Sequence, residues 1–337
     1  MPNRSLLVFP DDTVQTLLNA IDSARVSIRI KMFVFSAQVI IDAVLKARAR
    51  GVVVKVLLNP ARRNGKEDNE VTRQILLKGG VLVKDSNPAF GLTHEKSMII
   101  DDYIAFVKSL NWEMKNLTLT RDYAVITQHL HEVQEMTRCF EADWDRTDFD
   151  SSEAAYLIWC KGNGRARICR FIDEAKDTLF IQNERYQDMV IIERLVRAAN
   201  RGVKVQVMAR PPHNLKKEKL MEGVGGLRIL SNVGVKIRKL RKLKLHGKML
   251  LADQRRAIVG SINLTPGSFD DRRELAIEVN DAGIVKRLKK IAKIDWENSR
   301  KLDLSDEGLL ADLQNRLGET DGLVLSAGSL KKDKKKR

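Results

Sequence analysis

"HEKSMIIDDYIAFVKSLNW" (94–112) and "HGKMLLADQRRAIVGSINL" (246–264) decide how this chain is read. His94, Lys96, Asp101, Ser109 and Asn111 recur as His246, Lys248, Asp253, Ser261 and Asn263, always 152 positions later. Asp122 is answered at the same offset by Glu274. Each residue type fills roughly one position in twenty. Five identical polar residues in one register therefore arise by chance only about once in ~10⁴ trials. The chain is an internal duplication, and the repeated residues are polar ones, so the duplication preserves chemistry as well as core.

Within each copy, His and Lys are two apart, which on a strand puts both side chains on one face. The apolar run "SMII" or "MLLA" continues the strand into the core. The chain then turns at "DD" or "DQ" and returns through "IAFVKS" or "AIVGS". Ser and Asn follow two apart on the returning segment. His, Lys and Asn thus converge at one end of each half. Asp101 and Asp253 fall at the hairpin turn, where backbone hydrogen bonding is their expected task. Ser109 and Ser261 divide between phosphate contact and turn support.

The text around the motifs repeats as well. "AIDSARVSIRIKMFVFS" (20–36) and "FIDEAKDTLFIQNERYQ" (171–187) each read as a helix end followed by a buried strand. "KARARGVVVKVLLNP" (46–60) and "RAANRGVKVQVMARP" (197–211) each read as a helix end, a glycine stop and a Val-rich strand. Strands alternating with helices predict α/β halves, each a sheet covered by helices. The expected organisation is residues 1–150, residues 151–303, and a C-terminal helix with a basic tail over 304–337. Polar "DFDSSE" (148–153) serves as linker, and Ser305 caps the last helix.

Composition limits the partners. The 337 residues carry a net charge of +16, of which the tail "KKDKKKR" (331–337) supplies five, leaving +11 for the rest. Such a balance favours an anionic partner: nucleic acid, anionic lipid or phosphorylated small molecules. Cys139, Cys160 and Cys169 are odd in number and lack metal-site spacing, which predicts a reducing compartment without disulfides. "MPNRSLLVFPDDTVQ" does not read as a signal peptide, and no stretch reaches the ~20 apolar residues of a membrane span. The expectation is a cytoplasmic protein, peripheral if it meets a membrane.

An imidazole, an ammonium and an amide in one small site suit a phosphoryl group, whose oxygens need several donors. Two facing halves double the donors and bring two imidazoles to opposite sides of phosphorus. One, neutral, can attack phosphorus and form a phosphohistidine. The other, protonated, can donate to the leaving oxygen and then take a proton from the attacking water or alcohol. Lys96, Lys248, Asn111 and Asn263 hold the negative charge, so neither metal nor cofactor is called for. Asp122 and Glu274 are each expected to accept a hydrogen bond from the far nitrogen of their own histidine.

This double motif resembles the phospholipase D superfamily, whose signature is two copies of HxKxxxxD followed by GSxN. The resemblance covers about residues 5–300. It implies two α/β/α sandwich halves related by a pseudo-twofold, with one active site at their interface. It assigns His94 as nucleophile and His246 as general acid. Flanking text, including the "DW" pairs Asp143-Trp144 and Asp295-Trp296, is most similar to bacterial cardiolipin synthases. The chain departs from that pattern at Lys108, where Gly is usual and where the second copy has Gly260. It departs also at Thr120, Arg272 and Asp122.

"KIRKLRKLKLHGK" (236–248) places Lys236, Arg238, Lys239, Arg241, Lys242 and Lys244 before His246, more charge than the chemistry needs. These six are expected to line the approach and recruit an anionic surface. Three functions fit: a phosphatidyltransferase or phospholipase acting on glycerophospholipids, a metal-independent nuclease cutting DNA or RNA, and a basic binding protein with an inactive site. The intact paired motifs oppose the third. Stretch 214–248 contains no Phe, Tyr or Trp for base stacking, which favours lipid over nucleic acid. Hydrolase, transferase and oligomeric state stay open.

Overall fold

The computed structural model describes residues 3–61, 65–151, 155–211 and 217–310. In the first half, β1 (Arg4–Phe9), β2 (Ser27–Met32), β3 (Val53–Leu58), β4 (Leu82–Asp85), β5 (Leu92–Thr93), β6 (Ser97–Ile100), β7 (Ile104–Lys108) and β8 (Thr120–Thr127) alternate with five helices. These are α1 (Gln15–Ser23), α2 (Gln38–Ala49), α3 (Glu70–Lys78), α4 (Met114–Thr118) and α5 (Leu130–Asp145). The second half repeats the plan. Its strands are β9 (Ile158–Cys160), β10 (Thr178–Asn183), β11 (Lys204–Ala209), β12 (Lys236–Leu240), β13 (Lys244–Leu245), β14 (Lys248–Ala252), β15 (Arg256–Gly260), β16 (Arg272–Val279) and β17 (Ser299–Lys301). Its helices are α6 (Gly164–Asp173), α7 (Met189–Asn200), α8 (Lys217–Asn232), α9 (Pro266–Asp270) and α10 (Ala282–Glu297).

Each half is a mixed sheet. β2, β3 and β4 run parallel through helical crossovers, and the β6–β7 hairpin and β8 complete the sheet antiparallel. β10, β11 and β12 with β14, β15 and β16 do the same. One face of each sheet buries an apolar cluster under its own helices, with Ile28, Ile30 and Val56 in the first half and Ile181, Val205 and Val207 in the second. The opposite faces share a third core. It joins Val107 and Val125 to Met249 and Val259, and is flanked by Phe140 of α5 and Leu288 of α10. The two sheets are thus cemented by common apolar burial, as the α/β two-half plan requires.

The halves are not cleanly partitioned along the chain. β5 pairs in parallel with β16 of the second sheet, and β13 pairs in parallel with β8 of the first. Each two-residue strand immediately precedes a catalytic-motif histidine. This exchange positions the site. Asp101 and Asp253 stand at the hairpin turns with positive φ (54° and 51°). Asp101 accepts backbone N–H bonds from Arg25, Val26 and Ser27, and Asp253 from Lys176, Asp177 and Thr178. They fasten hairpin to neighbouring strand, away from the histidines. At the end of the described chain, the Ser305 hydroxyl accepts from the Gly308 N–H as a helix cap. The remainder of the expected C-terminal helix and the basic tail lie outside the described residues.

Candidate active site

β5 and β16 are in register with Leu92 opposite Arg272 and Thr93 opposite Arg273. The next residue, His94, therefore meets Glu274, one position on in the other half. Its Nδ1 lies 2.9 Å from Glu274 Oε2. By the same geometry Lys244 opposes Thr120, Leu245 opposes Arg121, and His246 Nδ1 lies 2.8 Å from Asp122 Oδ1. The expectation that each carboxylate serves its own histidine is corrected: the carboxylates are exchanged between halves. The reason is the strand exchange, which carries each histidine onto the opposite sheet. Both carboxylates are fully buried, so both histidines have Nδ1 occupied and Nε2 left for chemistry.

His94, His246, Asn111 and Asn263 line one cavity of about 500 Å³ between the halves. His94 to Lys96 is not one continuous strand. It is a link between β5 and β6, and His246–Gly247 similarly links β13 to β14. Lys96 and Lys248 are buried beyond the lining, and each donates to the carbonyl of its own histidine. Ser109 Oγ donates to Asp122 at 2.6 Å and accepts from the Tyr123 N–H. Ser261 Oγ accepts from the Leu275 N–H. Both serines brace the carboxylate-bearing strands, and neither lines the cavity.

Electrostatics distinguish the two histidines. Burial lowers the His94 pKa to about 3, with Lys96 and Lys248 adding to the effect against the pull of Glu274. His94 is a neutral imidazole at physiological pH. Glu274 pays a burial cost that would raise it, yet His94, Lys96 and Arg272 hold it at about 2, an anion. Asp122 is likewise burdened by burial but held below the usual carboxylate range by His246, Lys248 and Ser109. Burial pushes the Lys96 amine well down, partly opposed by Glu274.

Sequence reasoning missed Glu184. Its Oε2 accepts from Lys248 at 2.9 Å and sits 3.9 Å from His246 Nε2, while Arg210 donates to Oε1 at 2.9 Å. The matching position in the first half is Phe33, edge-on to His94 at 4.9 Å and beneath the Lys96 amine. The site is therefore polar beside His246 and apolar beside His94. The only available signal was the mismatch of Phe33 and Glu184 in otherwise aligned text. Thr120, one of the departures from the family pattern, and Asn116 both donate to Asp122 Oδ2, at 2.5 and 3.3 Å. They give the shorter Asp side chain the support it needs.

Of the six cations expected along the approach, only Lys244 lines the cavity. Arg238 lies over Trp296 and donates to Ser299, Lys239 is buried, and Lys236 starts β12. Alternation along β12 divides them between faces and sheet packing. The cavity's cations come instead from Lys115, Arg185, Arg210 and Arg272. Of the apolar residues that the sequence offers to a bilayer between 211 and 226, the side chains of Leu215, Leu220 and Met221 lie outside those described, whereas Val224 is buried in α8.

Glu95, Cys139 and Asp143 could by spacing hold a cation, but Lys31 Nζ occupies their centre, 2.6 Å from Asp143 and 3.2 Å from Glu95 and from Cys139 Sγ. That cluster is a buried ion network. The three cysteines are free. Among the described residues no helix is long and apolar enough to cross a membrane.

Known proteins place this architecture. Residues 17–144 and 168–296 match the family model described as cardiolipin synthase, PLD-like domain. Cardiolipin synthase B of Salmonella typhimurium is 26% identical over 323 residues, covering 82% of this chain and 76% of the relative. Phosphatidylserine synthase of Haemophilus influenzae superposes with a TM-score of 0.67 at 13% identity, over 94% of both chains. Polyphosphate kinase of Porphyromonas gingivalis superposes with a TM-score of 0.70 at 16% identity, over 94% of this chain but only 53% of the kinase. The last two show a shared fold. The two family matches straddle the duplication and hold one histidine motif each, so this chain belongs to the phospholipase D-like family in its cardiolipin synthase branch and is by class a phosphodiesterase or phosphatidyltransferase.

Proposed function

We propose that this protein is a phosphatidyltransferase of the cardiolipin synthase type, working through a phosphohistidine on His94. The observation that carries this reading is the pair of imidazoles lining one cavity, each with Nδ1 held by a buried carboxylate of the other half. Neutral His94 attacks phosphorus through Nε2, and His246 delivers its Nε2 proton to the departing alkoxide. The acceptor hydroxyl then loses its proton to His246 while its oxygen attacks phosphorus and frees His94. Asn111 and Asn263 supply donors to the phosphoryl oxygens, and Lys96 and Lys248 supply positive charge from behind. Asp122 and Glu274 fix the tautomers.

Glycerophospholipid is favoured over nucleic acid because, among the described residues, Phe33 is the one Phe, Tyr or Trp lining the cavity, which gives no succession of stacking surfaces for bases. The cationic rim supports approach to an anionic bilayer. The test is incubation with phosphatidylglycerol vesicles and, separately, single-stranded DNA, followed by product analysis. Diphosphatidylglycerol and glycerol are expected from the first and no fragments from the second. Cleaved DNA with untouched lipid would replace this reading with the nuclease one. Activity is expected to withstand a strong chelator; an absolute metal requirement would contradict the double-histidine chemistry.

A further inference from the structure

The duplication provides an internal control for every surface, and at one place the two halves differ systematically. Between α5 and the first sheet, Arg29 donates to Glu141 and to Asp102, the latter at 2.8 Å. Lys55 donates to Glu141 at 2.7 Å, and Phe140 packs beside Trp144. Two cations and two anions knit that space shut. At the corresponding place in the second half, α10 and its sheet enclose a cavity of about 350 Å³.

The substitutions across the duplication explain the opening. Arg29 is matched by Phe180, Lys55 by Gln206 and Asp102 by Gln254, so the ion network cannot form. Phe140 is matched by Ala292, which removes a ring's volume. Glu141 is matched by Lys293, which reverses the charge at the centre. Phe180, Leu251 and Trp296 give the cavity an apolar floor, while Lys204, Lys289 and Lys293 stand at its rim. No acidic residue lines it, and Lys293 lies 3.9 Å from Glu297, which is outside the lining. Thr178 and Lys204 begin β10 and β11, whereas Glu184 and Arg210 of the active-site cavity follow the far ends of these strands. The two cavities therefore lie at opposite ends of the sheet.

We propose that this groove binds one single-chain anionic amphiphile of the fatty-acid type. The alkyl chain lies on Phe180, Leu251 and Trp296, where the space freed by Ala292 receives it, and the carboxylate meets the lysines. The headgroup supplies the negative charge that Glu141 supplies in the first half. The volume is about ten times that of a water molecule in the liquid, enough for a medium-length chain and far too little for a folded partner. Burial of the chain provides affinity and the lysines provide sign selectivity.

Calorimetric titration of the full chain with monomeric dodecanoate tests this, with dodecylammonium as the charge-reversed ligand and acetate as the headgroup alone. One dodecanoate is expected per chain, with no binding of the other two. Affinity is expected to fall at least tenfold in Lys289→Glu/Lys293→Glu, whose side chains are solvent-facing, and to vanish in Ala292→Phe, which restores the first half's filling. Thermal melting confirms that each variant folds, and the charge-reversed pair carries the test if Ala292→Phe does not. Dodecanoate binding unaltered in the charge-reversed protein, or dodecylammonium binding as tightly, would overturn the proposal. So would binding only to phosphatidylglycerol vesicles, which would indicate a membrane surface, or a dimer abolished by the charge reversal, which would indicate a second copy. None of these outcomes depends on the reaction at His94.

Discussion

Burial beside Lys96 keeps the His94 imidazole neutral. A nucleophile must offer a lone pair, and burial together with Lys96 holds the imidazole pKa at about 3. A lowered pKa means that the reactive form persists as pH falls and is lost only near pH 3. The kcat/KM profile should therefore lack an acid limb near 6.5 arising from the nucleophile; such a limb, abolished only by replacing His94, would contradict the assignment. His94→Ala is expected to reduce turnover by at least about 10³-fold, the scale for deleting a nucleophile. Asp122→Asn should cost roughly 10²–10⁴-fold by releasing the His246 tautomer, although Asp122 lies in the other half. A normal rate in that variant would show that the 2.8 Å contact is without catalytic consequence.

Two-residue strands do the positioning at the scale of elements. β5 and β13 exchange between sheets, and their register decides which carboxylate meets which histidine. Gly260 in β15 allows the closest approach of the neighbouring strand, since a Cβ there would come within 2.3 Å of the Leu275 carbonyl and 2.4 Å of the Ala276 Cα. Gly260→Ala is expected to destabilise the protein by roughly 1–3 kcal/mol, seen as a lower midpoint in denaturant unfolding. An unchanged midpoint would mean that β15 and β16 can separate freely. The sequence made the duplicated histidines, the hairpins and the alternation of strands and helices legible, because each leaves a periodic or repeated signal. It could not disclose the exchange, since two residues carry no period. Glu184 escaped for a related reason: it breaks the repeat rather than sharing it. Lys236, Arg238 and Lys239 misled because charge density along the chain says nothing of which face each residue takes.

The halves of the whole molecule are tied by buried ions as well as by the shared apolar core. Arg121 pairs with Asp295, and Arg273 with Asp143, each across the halves at 2.9 Å. Burial would raise the Asp143 pKa, but Lys31 and Arg273 outweigh it and hold it at about 2. A depressed carboxylate stabilises the fold above its unfolded pKa near 4, and that stability is lost as pH falls towards 2. Asp143 alone should contribute about 2 kcal/mol that disappears over this window. Acid unfolding followed by circular dichroism should show it, and a stability gap between wild type and Asp143→Asn that stays constant from pH 5 to pH 2 would contradict it. Removing Arg273 should cost roughly 1–3 kcal/mol, because Asp143 loses two guanidinium hydrogen bonds and keeps Lys31 as its remaining cation. One site assembled from both halves is proposed to carry the phosphoryl group on His94. Mass spectrometry of protein quenched in alkali during turnover of a p-nitrophenyl phosphodiester tests this most directly. A phosphoryl-bearing adduct is expected on His94, accumulating in His246→Asn and absent in His94→Asn; an adduct on His246, or full turnover in His94→Asn, would contradict it.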